Sequence, residues 1–181
     1  PSSAASDVYK RQGTKMAWNT FNVVSIYPNG NPVMSDVNQR WVGDCCACAV
    51  IASMAYLYPR FVKHIIKDNM DKTYTVTMYD PKGKQISVGV GGDYFIGNSG
   101  DLGALGGRNK EVTWATILEK AMIKWNQIYQ GSSNVGGIGT EYVSAIFTGD
   151  GESVGFGANA LIAEDLQRAV EAVSYTHLTL P

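Results

Sequence analysis

Charge is scarce in this chain of 181 residues: 17% are Asp, Glu, Lys or Arg, below the ~25% of an average soluble domain. Fifteen basic residues stand against sixteen acidic ones, for a formal net charge of −1, with no long run of either sign. That balance excludes a basic footprint for nucleic acid. Long hydrophobic runs are missing too. The main apolar stretch, Cys45 to Pro59, falls short of the roughly 18–20 residues that a membrane span needs. Cysteine is confined to Cys45, Cys46 and Cys48. A disulfide framework needs partners distant in sequence, so a stapled secreted domain is excluded and a reducing, cytoplasmic setting is expected. Histidine is limited to His64 and His177.

What is present is enough for a packed core, because 45% of the residues are hydrophobic. Length points to one domain, or one and a fraction. Pro1 to Gln12 (PSSAASDVYKRQ) shows no periodicity and no apolar signal-peptide core, and Val173 to Pro181 (VSYTHLTLP) follows a good helical pattern without a turn. Residues 1–12 and 173–181 therefore read as non-native tails. On that reading His177 belongs to no active site, and the natural protein continues past Ala172.

Between the tails, Gly13 to Asn38 reads as an irregular entry with a turn at Pro28–Pro32. Cys45 to about Tyr58 is apolar on nearly every face, the pattern of a buried central helix. Pro59 ends it or opens the next helix, whose stripe of Phe61, Val62, Ile65 and Ile66 carries His64 on its flank. Thr73–Tyr79 and Lys84–Val90 read as strands joined by Asp80-Pro81-Lys82-Gly83, with Pro and Gly where a type I turn prefers them. Nine of the twenty glycines lie between Gly83 and Gly107 and predict a long loop, with a role beside a substrate. Gly89-Val90-Gly91-Gly92 looks like a phosphate loop but lacks the Gly-Lys-Ser/Thr ending.

Trp114, Ile117, Leu118, Ala121, Met122, Trp125 and Ile128 fall on one face of a helix predicted over Thr113–Tyr129. Glu119 and Lys120 lie beside that stripe and are expected to be structural, on a solvated face with one internal salt bridge. Thr140 is placed to cap a short helix through Phe147, and Asn159 a last one carrying Leu161, Ile162, Leu166, Ala169 and Val170. No internal repeat is visible.

A thiol becomes a useful nucleophile at neutral pH when its pKa is lowered, and a helix N-terminus does this through its N–H groups and macrodipole. Cys45 occupies such a place, where Gly43-Asp44 makes a tight approach and the apolar helix begins. Acyl transfer also needs donors for the developing oxyanion, commonly a backbone N–H and a side-chain amide. Gln39, six residues upstream, is a neutral donor on the entering loop. Cys46 and Cys48 read as small core residues. A Cys-Cys-x-Cys metal site would want four ligands in separated pairs, and the sequence has no second cluster. Asp44 is expected to shape the turn or cap the helix, and His64 to be a surface or packing histidine.

Asp36-Val37-Asn38-Gln39-Arg40-Trp41-Val42-Gly43-Asp44-Cys45, followed by Ala49-Val50-Ile51-Ala52-Ser53, resembles the active-site segment of calpain-type cysteine proteases, Q-G-x-x-G-D-C-W before a small, apolar helix. Trp114-Ala115-Thr116-Ile117-Leu118-Glu119-Lys120-Ala121 is similar to that family's W-x-x-L-L-E-K-A helix, and Phe147-Thr148-Gly149 to its F-T-G turn. The three lie in the family's order, from about Asp36 to Asp150.

The resemblance implies an α+β fold: the mainly helical, cysteine-bearing lobe of a papain-like cysteine protease, with the second, β-rich lobe largely missing. It implies a catalytic subdomain over 13–150 and the start of the second lobe at 151–172. It implies a polypeptide substrate, Cys45 as nucleophile and Gln39 as oxyanion donor. The family's catalytic His and Asn come later, on the second lobe, and no residue of this chain is assigned to them. Without that His the nucleophile lacks its base, so this fragment is expected to be inactive. The chemistry needs no cofactor or metal. Calcium, required by many calpains, is not carried over, because no residues match those sites. Neither nucleic acid nor membrane is an expected partner, and oligomeric state is not legible. Arg40 stands where the family has Gly, and Cys46 where it has Trp. Those departures motivate an alternative, a non-catalytic calpain-fold module that binds protein.

Overall fold

In a computed structural model of the chain, which describes residues 17–150 apart from the Glu141 side chain, the expected hairpin forms around Asp80. Strand β3 (Tyr74–Tyr79) runs antiparallel to β4 (Gln85–Val90), with Tyr74 opposite Val90 and Tyr79 opposite Gln85. Gly83 closes the turn at φ +75°, where a side chain would be strained, and its N–H bonds the Asp80 carbonyl at 2.9 Å. Tyr74, Val76 and Met78 point inward while the threonines between them do not, which is the period-2 alternation of a sheet covered on one face.

A third strand, β2 (Ile66–Asp68), pairs with β3 and extends the hairpin to a meander. This corrects the expected helical stripe: helix α2 (Pro59–Ile65) stops at Ile65, and Ile66 is buried as the first strand residue. Pro59 sits in the first turn of α2, where its missing N–H is harmless. Helix α1 (Cys45–Leu57) precedes it, and Ala47, Ile51, Met54 and Ala55 bury its inner face. Tyr56 and Leu57 at its end remain exposed.

The entry segment is not wholly irregular. Strand β1 (Ala17–Thr20) pairs antiparallel with β5 (Asp93–Ile96), Ala17 opposite Ile96, so the glycine-rich stretch also contains a strand. Neither half of this pair is long or alternating enough to announce itself. Helix α3 (Trp114–Gln130) begins after Thr113 and ends at Gly131 in the left-handed conformation, φ +67°. It is buried on every side from Trp114 to Ile123, and its apolar stripe reaches solvent only at Ile128. Trp125 Nε1 donates to the Tyr79 carbonyl at 2.6 Å and Lys124 Nζ to the Gly89 carbonyl at 2.6 Å, tying α3 to the meander. Helix α4 (Thr140–Thr148) packs on α1 and β3 and ends at Gly149, φ +80°, under the Tyr79 ring.

Four helices and two small antiparallel sheets thus make a mixed α+β arrangement among the described residues. No single helix among them is long and apolar enough to cross a membrane. The chain divides into two units, Pro1–Gly151 and Glu152–Pro181, and the described residues all belong to the first. The helix expected after Asn159, both expected tails and His177 lie outside the described residues.

Candidate active site

The approach to Cys45 is anchored before it is shaped. A single 3-10 turn, Met34–Asp36, delivers a buried Asp36 whose Oδ2 accepts the indole N–H of Trp114 at 2.7 Å. Oδ1 of the same carboxylate accepts the Asn29 side-chain amide at 2.8 Å, and the Asp36 carbonyl accepts the Thr113 hydroxyl at 3.2 Å. The first residues of α3 therefore hold the start of the approach. A carboxylate at 2% exposure is tolerable only because such donors replace its water.

The next residues zip onto the glycine-rich segment. Asn38 and Gly106 exchange backbone hydrogen bonds at 2.9 and 3.3 Å, and the Asn38 side-chain amide adds one to the Gly106 carbonyl at 3.1 Å. Arg40 donates from its guanidinium to the Gly107 carbonyl at 2.6 Å, and Trp41 N–H to the Gly103 carbonyl at 3.1 Å. Arg40, unexpected at its place, is thus a tether. The glycine run is not simply an open loop: residues 102–107 are all buried. A Cβ on Gly97 would stand 2.6 Å from the Trp41 indole nitrogen, so glycine there lets the two segments approach. One on Gly106 would stand 2.5 Å from Leu102 Cδ2 and one on Gly103 2.8 Å from the Phe95 ring, within the run and against β5. The exposed parts of the run, Asn98–Gly100 and Arg108–Lys110, flank this buried strip.

Cys45 is the first residue of α1 and is exposed, whereas Cys46 and Cys48 are half-buried. Gln39 is exposed on the loop above, and its side-chain amide donates to the Val42 carbonyl at 2.9 Å, three residues before Cys45. That contact curls the amide back onto the turn that leads into the helix. Asp44 sits at the N-cap position but makes no side-chain cap; the Cys48 N–H bonds its carbonyl at 3.0 Å. Its carboxyl turns inward instead, to 1% exposure, where Oδ1 accepts the Cys48 thiol at 3.5 Å. The expected core role of Cys48 holds in part, since it packs against the core, but its thiol has this polar partner as well. His64 is exposed in the last turn of α2, as expected of a surface histidine.

Glu119 and Lys120 overturn the expectation of a solvated face; they are 2% and 4% exposed. They lie on the two flanks of the stripe and meet different neighbours. Glu119 Oε2 accepts the Leu105 N–H at 3.0 Å, while the Thr116 hydroxyl serves the Leu105 carbonyl at 2.5 Å. The Asp44 carboxyl lies close enough to Glu119 for each to act on the other. Burial, then the Asp44 charge, pushes Glu119 well above the usual carboxylate range, and burial raises Asp44 less. Both carboxyls are thus pushed toward their neutral forms, Glu119 the further. Burial and then the Asp44 charge push the Cys48 thiol up as well.

Lys120 goes to the other sheet. Its ammonium pairs with Asp93 Oδ1 at 2.8 Å, donates to the carbonyls of Gly91 (3.0 Å) and Asp93, and lies 5.1 Å from both the Trp18 and Tyr94 ring centres. The internal salt bridge expected for this helix is thus Lys120–Asp93. Burial lowers the Lys120 pKa, and Asp93 opposes that shift. No local pattern in the sequence marked either residue as buried, because the groups that replace their water come from distant segments.

On the far side, Asn126 donates to the carbonyls of Ser132 (2.9 Å) and Asn134 (2.8 Å), holding a loop whose Gly136 lies against the Gly43 carbonyl. Among the described residues, no three His, Cys, Asp or Glu side chains are grouped to hold a metal ion. A family model described as calpain family cysteine protease matches residues 7–174 of the chain. No curated protein matches it.

Proposed function

Because the chain belongs to the calpain family of cysteine proteases, we propose that Cys45 is its nucleophile and that Gln39 helps to hold the oxyanion. The catalytic class follows from the family; the residues are our assignment. The observation that carries it is the contrast among the three thiols. Cys45 alone is exposed, at the first residue of a helix whose inner face is buried, on an approach tied down at Asp36, Asn38, Arg40 and Trp41.

In the proposed reaction the Cys45 sulfur attacks the carbonyl carbon of a peptide bond. The developing oxyanion is met by the Cys45 backbone N–H and by the Gln39 amide, once that amide turns from the Val42 carbonyl. The amine leaves with a proton, and water hydrolyses the thioacyl intermediate to free the acid and the thiol. The α+β unit described above is read as the helical lobe of a papain-like fold. By this reading the base that moves the proton is a His on the sheet-rich lobe, with an Asn to orient it. No residue of this chain is assigned to either, and the 181-residue chain alone is proposed to be inactive.

The test is site-resolved alkylation with iodoacetamide near neutral pH, mapped by peptide mass, beside an assay on a casein substrate. Cys45 is expected to react first and faster than free cysteine, with no casein cleavage. A Cys45 slower than Cys46 or Cys48, or no faster than free cysteine, overturns the nucleophile assignment and favours the protein-binding module. That alternative draws on Cys46 in place of the family's Trp. Cleavage of casein by the chain would overturn its proposed inactivity.

A further inference from the structure

Three thiols within one helical turn are more than a single nucleophile requires. Helix geometry decides which of them can pair. Cys45 and Cys48 are three apart, so in α1 their Cα atoms lie about 5 Å from each other on one face. A disulfide accepts Cα separations of roughly 4.4–6.8 Å. Cys46 and Cys48, two apart, point to different sides of the helix. Cys45 and Cys46 are adjacent, at about 3.8 Å, below that range. Only the 45–48 pair shares a face, and it does so in the first turn, where a helix yields most easily.

The environments of the two sulfurs divide the labour. Cys45 is exposed and accessible to a small oxidant. Cys48 is half-buried against the core, with its S–H on Asp44 Oδ1 at 3.5 Å. Burial and the Asp44 charge keep Cys48 in its thiol form, and Cys45 is near enough to add to that push. Cys48 is therefore a poor first target for an oxidant. It has, however, a carboxylate already positioned to take its proton. Asp44 is itself buried beside Glu119.

We propose that Cys48 is a resolving cysteine that converts oxidised Cys45 into a reversible Cys45–Cys48 disulfide. This rests on the reading of Cys45 as the reactive thiol and adds regulation of that same site by peroxide. In the first step the Cys45 sulfur attacks one oxygen of hydrogen peroxide. The O–O bond breaks, Cys45–SH becomes Cys45–SOH, and one water is released. In the second, the Cys48 proton passes to Asp44 and the sulfur attacks the Cys45 sulfur. The S–OH bond breaks, and the hydroxide leaves as water with the proton that Asp44 held. Two thiols are oxidised by two electrons, and one peroxide is reduced to two waters. A dithiol reverses the disulfide by exchange. A nucleophile locked in this way is silent but protected from the irreversible sulfinic and sulfonic acids.

The experiment uses the 181-residue chain, reduced, treated with hydrogen peroxide and digested without reduction. The native chain is expected to lose two hydrogens in the peptide that carries the three cysteines, and dithiothreitol to restore nearly all of its Cys45 alkylation. Cys46→Ser should behave the same. Cys48→Ser should form no internal disulfide, accumulate sulfinic and sulfonic acid at Cys45, and recover little alkylation. A disulfide lost in Cys46→Ser, no disulfide in the native chain, or equal recovery in Cys48→Ser would overturn the proposal. Alkylation of unoxidised Cys48→Ser keeps the two readings apart. Fast Cys45 alkylation without a 45–48 disulfide sinks the switch alone, and slow alkylation sinks the nucleophile assignment.

Discussion

Asp44 and Glu119 are neighbouring carboxyl groups, both almost fully buried, although one ends the approach to Cys45 and the other lies within α3. Among the described residues no N–H or hydroxyl reaches Asp44 Oδ2, so a protonated Glu119 would give that oxygen a donor. The groups facing the pair are the Cys48 thiol on Asp44 and the Leu105 N–H on Glu119; Lys120, next along α3, is committed to Asp93.

That arrangement makes stability depend on pH in a stated direction. Folding raises the Glu119 pKa well above its usual 4.5. A carboxyl raised on folding contributes its full stabilisation below the unfolded value and loses it as pH rises toward the folded one. Glu119→Gln keeps the shape, donates to Asp44, accepts from Leu105 and has no proton to lose. Urea midpoints of Glu119→Gln are expected to gain on the native chain as pH rises above the usual carboxylate range. Glu119→Ala leaves two buried partners unanswered and should cost about 2–4 kcal/mol at neutral pH. A native-minus-Gln difference that is flat with pH would show that folding does not raise the Glu119 pKa.

Trp114 holds Asp36 through one charge-assisted bond of 2.7 Å. Trp114→Phe keeps most of the packing and removes the donor, so unfolding by urea should show a loss of about 2 kcal/mol. Asp36→Asn should lose less than Asp36→Ala. The double variant of Trp114→Phe with Asp36→Asn should fall short of the sum of the singles, because both act on one bond.

Gly106→Ala tests the tight packing of the glycine run around the residue that pairs with Asn38. The new methyl would meet Leu102 Cδ2 at 2.5 Å and the Glu111 carbonyl oxygen at 2.6 Å, and the second is backbone that cannot swing away. A loss of about 1–3 kcal/mol is expected. With the Asn38–Gly106 pairing loosened, the preference of iodoacetamide for Cys45 over Cys46 and Cys48 should also narrow. Gly89→Ala, in open space on β4, is the control and should leave both readouts nearly unchanged.

The hairpin at Asp80–Gly83 and the span of α3 were legible because each depends on neighbours in sequence. The turn needs Pro and Gly at set places, and the helix needs an apolar residue every three or four. Pro59 likewise marked the break between α1 and α2. The pairing of β1 with β5 was not legible, since two four-residue strands carry no pattern of their own and are strands only because they find each other. Ile66 shows the same limit: its apolar spacing suits α2, yet pairing with Val76 in β3 makes it a strand residue.

By itself the sequence determined the hairpin, the long helices, the exposed cysteine at the head of an apolar helix and the motifs that place the chain in the calpain family. Those are local, set by spacing and by residue type. Only the tertiary structure decided that the glycine run is a buried strip against the approach to Cys45, and that Glu119 and Lys120 lie inside rather than in water. Burial of a charge depends on which distant groups arrive to replace its water. For Glu119 they are Leu105 and Asp44; for Lys120 they are Asp93, Gly91 and two aromatic rings. None of them is a neighbour in the chain, so no local pattern announces them.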